Sequence, residues 1–226
     1  FKSSILHKAF SGELSMPKSS TIQFPQKFDR ISATDLHAGV ISTAYQKHKE
    51  KGNLLHFHHV KAEKITHMAE SFIGIDLERE PTKMAAGPND FPRIQKVEHR
   101  AKRAKYFHVD KKGGVYSYTP GKNIDSIILK TKNALGDKFI ELEKLIEKMV
   151  QMDTKQAEIL ATTFAAWNNL LIDGLAPTDE EIVFEARENW HEDKLKIPRE
   201  RFFAAINWMR DENIIPKGKG KKVDAK

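Results

Sequence analysis

A change of hydrophobic period near residue 105 constrains the fold of this chain more than any other feature. Before that point apolar residues recur every three or four positions, as on one face of a helix: Phe91, Ile94, Val97, Ala101 and Ala104. Residues 106–110 and 115–119 instead alternate and are rich in β-branched and aromatic side chains, and Lys111-Lys112-Gly113-Gly114 joins them. Because a Gly pair in a short connection favours a tight turn, this stretch predicts a β-hairpin.

Two further helical patterns precede the one that ends at the hairpin. The first begins near Ser32 or Thr34 and ends at Gly52, and the second runs from about Val60 to Phe72. Pro92 falls in the first turn of the third helix, where its missing N–H costs nothing. Three helices followed by a two-stranded ribbon is the order of a winged helix-turn-helix, in which the third helix docks in the major groove of DNA. We therefore predict a winged-helix-like domain over residues 31–122.

A run of apolar residues at heptad spacing follows the hairpin. Residues 123–152 predict a long connecting helix with the seam Leu135, Phe139, Leu142, Ile146 and Met149. Gly136 beside this seam costs about 1 kcal/mol relative to Ala in a helix, so a break there is the alternative to a continuous helix. The short seam favours a helical hairpin over a free coiled coil. We assign it as a surface for partner subunits.

Residues 153–216 predict a C-terminal unit of three helices. The first ends at Gly174, and Pro198 opens the third. The second follows Thr178, which stands at capping-box spacing from Glu181. The pattern resembles a second three-helix domain, separate from the first.

The two ends of the chain have patterns of their own. Residues 1–30 open with the end of a helix and continue as a linker rich in Ser and Pro, so we expect the chain to be a fragment of a longer one. Residues 217–226 predict a basic, disordered tail. The expected fold class is mainly α, with a winged helix-turn-helix unit (three helices plus a β-hairpin wing), a long heptad helix and a C-terminal three-helix unit.

Basic charge is concentrated in one part of the chain. The formal net charge is +7, and residues 82–130, with eleven basic and four acidic residues, carry an excess equal to that of the whole chain. A basic excess confined to a structured segment indicates a polyanionic partner, and double-stranded DNA is the expected one.

The third helix and the hairpin supply the candidate DNA-binding residues. Four cations recur at helical spacing, so we expect one helix face to present them to phosphates, and two lysines lie at the predicted wing tip. The set is Arg93, Lys96, Arg100, Arg103, Lys111 and Lys112. A solvated basic face is the alternative interpretation of the helix stripe.

Several chemistries find little support in the sequence. The absence of Cys excludes disulfides, Cys-ligated zinc, iron–sulfur clusters and a thiol nucleophile, and it fits a reducing, cytoplasmic location. His56, His58 and His59 cluster without a metal-binding spacing, which favours a surface or capping role. No GxSxG elbow and no membrane-length apolar run is present. We therefore expect no catalytic residue, no metal site, no bound cofactor and no membrane contact.

Several segments resemble the specificity (S) subunits of type I restriction–modification systems. The segment FKSSILHKAFSGEL, residues 1–14, is similar to the end of the family's conserved helix. Further blocks resemble an extension found at the C-terminus of some specificity subunits: residues 59–65, 86–92, 165–171 and 177–182. Together the similar segments extend over most of the chain.

This resemblance implies a non-catalytic subunit. In the family, the specificity subunit holds modification (methyltransferase) subunits and a restriction motor subunit on a DNA site. S-adenosylmethionine binds to the modification subunit and ATP to the motor subunit, so neither cofactor is expected here. The family's target-recognition domains are absent from this sequence, so no base-reading residue carries over. The resemblance implies that the helix predicted at residues 1–10 contacts the modification subunits. The residues it assigns to this contact are Ile5, Leu6, Ala9 and Phe10.

Two other classes of function remain open at this stage. Winged helices also serve as protein-docking modules, and the fold alone does not decide between docking and DNA binding. A divergent nuclease is the enzymatic alternative. A DNA-binding measurement on charge-reversed variants and a magnesium-dependent cleavage assay separate these classes.

Overall fold

Helices form most of the computed structural model, which describes residues 31–112 and 115–225. In chain order they are α1 (Ala33–Glu50), α2 (His59–Met68), α3 (Phe91–Ala104), α4 (Ile124–Leu135), α5 (Asp137–Val150), α6 (Thr154–Ile172), α7 (Asp179–Arg187) and α8 (Arg199–Asp211). The predicted mainly α fold is confirmed. The predictions for residues 1–30 lie outside the described residues.

Side-chain caps fix the starts of several helices. Ser32 Oγ accepts a hydrogen bond from the backbone N–H of Asp35 at the start of α1, at 3.1 Å. At α7 the predicted capping box is present, since Glu181 N–H donates to Thr178 Oγ1 and Thr178 N–H donates to the Glu181 carboxylate. Each cap satisfies backbone donors that have no partner inside the helix. The starts of these helices are thus set by local sequence.

Two antiparallel hairpins interrupt the helices. The predicted one is confirmed, with β3 (Phe107–Lys112) paired to β4 (Val115–Pro120). The other, β1 (Thr82–Met84) with β2 (Gly87–Asn89), lies where the sequence indicated only a loop. Gly87 has a φ of +93°, and a Cβ there would stand 2.6 Å from Thr162 Oγ1 on α6. A glycine is therefore needed for the second hairpin to pack on α6.

The predicted long heptad helix is broken, and its seam does not face a partner. Gly136, with a φ of +55°, separates α4 from α5, so the alternative of a break is the correct one. Both helices pack against α1. The seam points inward, because four of its members are buried in the core and one is partly buried: Phe139, Leu142, Ile146, Met149 and Leu135. Their assignment as partner-binding residues is wrong, since they stabilise this chain's own fold.

The two predicted domains share one hydrophobic core. A continuous cluster of buried apolar side chains runs from Leu36 on α1 to Val223 near the end of the chain. The connection is direct, because α6 packs against α2 and β2 as well as against α7 and α8. Residues 153–216 therefore form a helical layer of the same core. In the described part of the chain, no helix combines the length and apolar character needed to cross a membrane.

Candidate nucleic-acid interface

Helix α3 is held in place at both ends. Asp90 caps its start, where Oδ1 accepts a hydrogen bond from Arg93 N–H at 3.1 Å. At its end Lys105 adopts a left-handed conformation, and the side-chain amide of Asn123 donates to the carbonyl of Ala104 at 2.9 Å. The apolar side of α3 packs on α1 and β3. The opposite side of the helix is thereby presented to solvent in a fixed orientation.

Only part of the predicted cation stripe points outward. Lys96 and Arg103 are exposed, but Arg93 is 8% exposed and its Nη2 lies 3.4 Å from the carboxylate of Glu78. Arg100 is half-exposed and donates two hydrogen bonds to the Asp35 carboxylate, at 2.8 and 2.9 Å. The expectation that all four cations face DNA is therefore wrong for Arg93. Arg100 is committed to a bidentate ion pair between α3 and α1.

The outward face of α3 carries a different set of basic residues. Successive residues of a helix are rotated by about 100° around its axis. On this basis the predicted stripe of four cations lies along the boundary between the buried and the exposed side of α3, and the middle of the exposed side is occupied by other residues. The residues exposed on this side, which we call the basic face, are Lys96, His99, Lys102 and Arg103, and Lys105 is exposed just beyond the end of the helix. Within the described residues, none of them forms an ion pair with a carboxylate. His99 and Lys102 could have been placed on this face from the sequence, had the buried stripe been used to set the angle.

A further lysine lies near the end of α3. Gly121 N–H donates to the carbonyl of Tyr106, and Asn123 N–H donates to the carbonyl of Lys105. These bonds place Lys122, which is exposed, next to the C-terminal end of α3. Positive charge near a helix C-terminus interacts favourably with the helix dipole, so these neighbouring lysines destabilise the fold little.

The β3–β4 hairpin contributes one described cation. Lys111 is exposed, and its Nζ lies 5.1 Å from the centre of the Tyr116 ring. Tyr116 in turn contacts His59 at the start of α2, edge to face at 5.0 Å. The side chain of Lys112 and the turn at residues 113–114 lie outside the described residues. Of the two lysines predicted to contact DNA from the wing, the structure describes the side-chain position of Lys111 only.

A largely buried ionic cluster lies beneath the start of α3, and no sequence pattern indicated it. We define it as Glu63, Glu70, Arg79 and Asp90. Arg79 Nη2 donates to Glu63 Oε2 at 2.9 Å, and both side chains are fully buried. Glu70 accepts hydrogen bonds from the backbone of Leu77 and Arg79.

The cluster reaches α3 through its capping residue. Asp90 N–H donates to Glu63 Oε2, and Asp90 Oδ2 accepts from Glu80 N–H. The segment between α2 and α3 is therefore tied to buried charges at several points. Because Asp90 also caps α3, the cluster fixes where the basic face begins.

Glu98, on the flank of α3, has an altered acidity. Burial raises the pKa of its carboxyl from 4.5 to about 7, and the charge of Glu63 acts in the same direction. The Tyr118 hydroxyl donates to it at 3.5 Å, and His59 Nε2 lies 3.7 Å from Oε1. The group thus changes charge near neutral pH.

We expect Glu98 to make the stability of the protein fall as the pH rises. A carboxyl whose pKa is raised in the folded state stabilises the fold fully below its ordinary pKa of 4.5, and this contribution is lost as the pH passes through about 7. The loss is on the order of 3 kcal/mol. Thermal unfolding between about pH 5 and about pH 8 measures it, and Glu98→Gln should flatten the curve. Glu200→Gln, at an exposed position on α8, is the control, and parallel curves for Glu98→Gln and the native chain would contradict the prediction.

The histidines and acids do not converge on a cation site in the described residues. No group of three or more His, Asp or Glu side chains there could hold a metal ion. His37 and His67 are fully buried, and desolvation lowers the pKa of each well below its usual value, which favours the neutral imidazole. His58 stands at the start of α2 and His59 packs on Tyr116.

Comparisons with known proteins add no relative to these observations. No family model, no curated protein and no solved structure matches the chain. The functional interpretation therefore depends on the geometry and on the sequence resemblance described above.

Proposed function

We propose that this chain is a non-catalytic DNA-binding and assembly region of a type I restriction–modification specificity subunit. The observation that carries the proposal is the basic face of α3, whose cations are exposed, without ion pairs among the described residues, and held on a helix fixed at both ends. Such an array suits contacts with phosphate oxygens, which position a protein on a duplex without reading its sequence. The type I specificity-subunit family named in this proposal comes from the sequence resemblance described above.

The order of elements supports a winged-helix-like arrangement with one departure. Helices α1, α2 and α3 are followed by the β3–β4 hairpin, and α3 packs on both α1 and β3. A helix-turn-helix joins its second and third helices by a turn of about 3–4 residues. Here residues 69–90, with the β1–β2 hairpin, take that place. The proposal therefore relies on how α3 is presented and not on the turn.

The structure revises the set of contacts that the proposal uses. Arg93 and Arg100 leave the set, because they neutralise Glu78 and Asp35 within the chain. The proposed phosphate contacts are Lys96, Lys102, Arg103, Lys105 and Lys111. Lys112, whose side chain lies outside the described residues, stays a prediction.

Contact with the modification and restriction subunits is the second candidate role. The outer sides of α4 and α5 expose Leu129 and Ile140, by 59% and 53%, while the heptad seam is buried. A docking surface on these helices therefore uses Leu129 and Ile140. A Leu129→Asp variant that no longer assembles with the modification and restriction subunits but still binds DNA would support this role.

A salt titration tests the DNA-binding proposal. We expect binding to duplex DNA to weaken with salt along a log–log slope of about −4.5, which corresponds to the five proposed phosphate contacts. A sequence-unrelated duplex should give the same slope, since phosphate contacts carry no sequence information. A slope near zero would contradict the proposal. Duplex cleavage in the presence of Mg²⁺ would instead favour the nuclease alternative.

A further inference from the structure

The segment predicted to be a disordered tail is bound along the surface of α6. We call residues 217–225 the tail segment. Asn168 Oδ1 accepts a hydrogen bond from Gly218 N–H at 3.0 Å, and its Nδ2 donates to the carbonyl of Lys219 at 2.9 Å. Asn169 holds Val223 in the same way, accepting from its N–H at 2.9 Å and donating to its carbonyl at 2.8 Å. The prediction of disorder is therefore wrong.

Neighbouring contacts surround these two amide clamps. The Val223 side chain is buried, with 1% exposed, and Lys222 Nζ donates to the Asp173 carboxylate at 2.7 and 2.8 Å. Lys221 Nζ donates to the carbonyl of Arg79 at 3.0 Å. Beyond Val223, the carbonyl of Asp224 accepts from Lys83 N–H, so the segment extends along β1. The tail segment is held from α6 to β1.

This geometry is that of a site for an extended peptide. A side-chain amide offers both a donor and an acceptor, so it can satisfy the backbone of a peptide whatever its side chains are. Asn168 and Asn169 are buried. Val223 continues the recognition by burying its side chain in the apolar core, and Asp224 does so by pairing with a strand edge, as in β-augmentation. Affinity then comes from the backbone, and selectivity comes from a few side-chain positions.

Gly218 is one of those positions. Its φ is +62°, and a Cβ there would stand 3.0 Å from the Leu171 Cβ and 3.1 Å from its backbone. Any other residue would be strained in this conformation and crowded against α6. The site thus selects glycine at one end, an aliphatic residue at Val223, and lysines between them.

We propose that α6 and β1 form a peptide-binding site whose ligand is the tail segment, held here by its own chain and exchangeable with the same segment of a second copy. All the contacts that hold the segment are noncovalent. The contacts that hold the segment involve no residue of the basic face of α3, so the proposal does not depend on DNA binding.

Cleavage of the folded chain tests the proposal. A protease site placed between Pro216 and Lys217 cuts the tail segment from the folded chain, and gel filtration then separates the cut segment. A fluorescent peptide of residues 217–226 is titrated onto the remaining chain. We expect saturable binding at one peptide per chain, competed by unlabelled peptide. A Gly218→Ala peptide should bind at least about tenfold more weakly and a Val223→Asp peptide should not bind. A Lys217→Ala peptide is the matched control, because Lys217 is exposed and makes no hydrogen bond or ion pair among the described residues.

Hydrogen exchange on the intact chain gives a second measurement. The amide protons of Gly218, Lys219 and Val223 all point to the Asn168 and Asn169 side chains. We expect them to exchange together, by local release of the segment, faster than amides in the centre of α6. Exchange only by global unfolding, loss of the fold on cleavage, or equal binding of the Val223→Asp peptide would overturn the proposal.

Discussion

Reversing the charge of Lys102 and Arg103 together is expected to lower the affinity for duplex DNA by about a hundredfold at low salt and to reduce the salt slope by about 2. Both side chains lie on the basic face and are exposed. Each phosphate contact that is removed stops the release of a condensed counterion, and each new carboxylate repels the duplex. Fluorescence anisotropy with a labelled duplex across a salt series measures both quantities.

The matched control is the double variant Lys132→Glu, Lys144→Glu. These lysines are exposed on α4 and α5, outside the basic face. Their substitution changes the net charge of the chain by the same amount as the substitution of Lys102 and Arg103. An equal loss of affinity in the control would mean that overall charge, and not the face of α3, attracts DNA. Unchanged affinity in the Lys102 and Arg103 variant, combined with failed subunit assembly, would favour the protein-docking function.

Arg100 is a poorer site for this test, although the sequence places it on the same helix. A glutamate there would stand against Asp35 and replace a bidentate ion pair by a repulsion between α3 and α1. Loss of DNA binding in such a variant would not separate a missing contact from a displaced helix. Lys102 and Arg103 avoid this ambiguity.

Arg79→Met is expected to lower the free energy of unfolding by about 3–5 kcal/mol, because it leaves the fully buried Glu63 carboxylate without its partner. The midpoint of thermal unfolding should fall by roughly 10 °C in a chain of this size. The capping residue Asp90 shares the Glu63 carboxylate, so we also expect α3 to fray at its start. Amide exchange in the first turn of α3 measures that effect.

Two variants calibrate the result for Arg79. The double variant Glu63→Leu, Arg79→Met removes both charges and should recover part of the loss, since an apolar pair avoids the cost of an unpaired buried charge. Arg199→Met breaks the surface ion pairs with Glu180 and Glu188 and should change the midpoint little. If Arg79→Met and Arg199→Met were equally mild, the buried cluster would not hold the segment before α3.

Local sequence patterns predicted the elements that depend on local physics. The hairpin followed from the alternating period and the Gly pair, and the capping box at Thr178 and Glu181 followed from spacing alone. At Gly136 the predicted element was a continuous helix, and the break that the structure shows was the alternative that the cost of glycine in a helix left open. In each case the determining contacts lie within a few residues of one another, so a sequence carries the information directly.

The candidate site was predicted only in part, for a geometric reason. The spacing of Arg93, Lys96, Arg100 and Arg103 showed that they share an arc of the helix, but it did not show which carboxylates meet that arc. Glu78 and Asp35 come from other elements and engage Arg93 and Arg100. The remaining cations of the basic face stay exposed because no such carboxylate reaches them among the described residues.

The sequence by itself determined the helical content, the hairpin, the caps and the concentration of basic charge around α3. The tertiary structure alone decided that the heptad seam faces the core, that Asn168 and Asn169 bind the tail segment, and that Glu63 and Arg79 meet inside the molecule. The physical reason is that an amphipathic stripe or a lysine-rich segment indicates only the type of environment that its side chains favour, apolar or charged. Which partner satisfies that preference depends on packing between residues far apart in the chain.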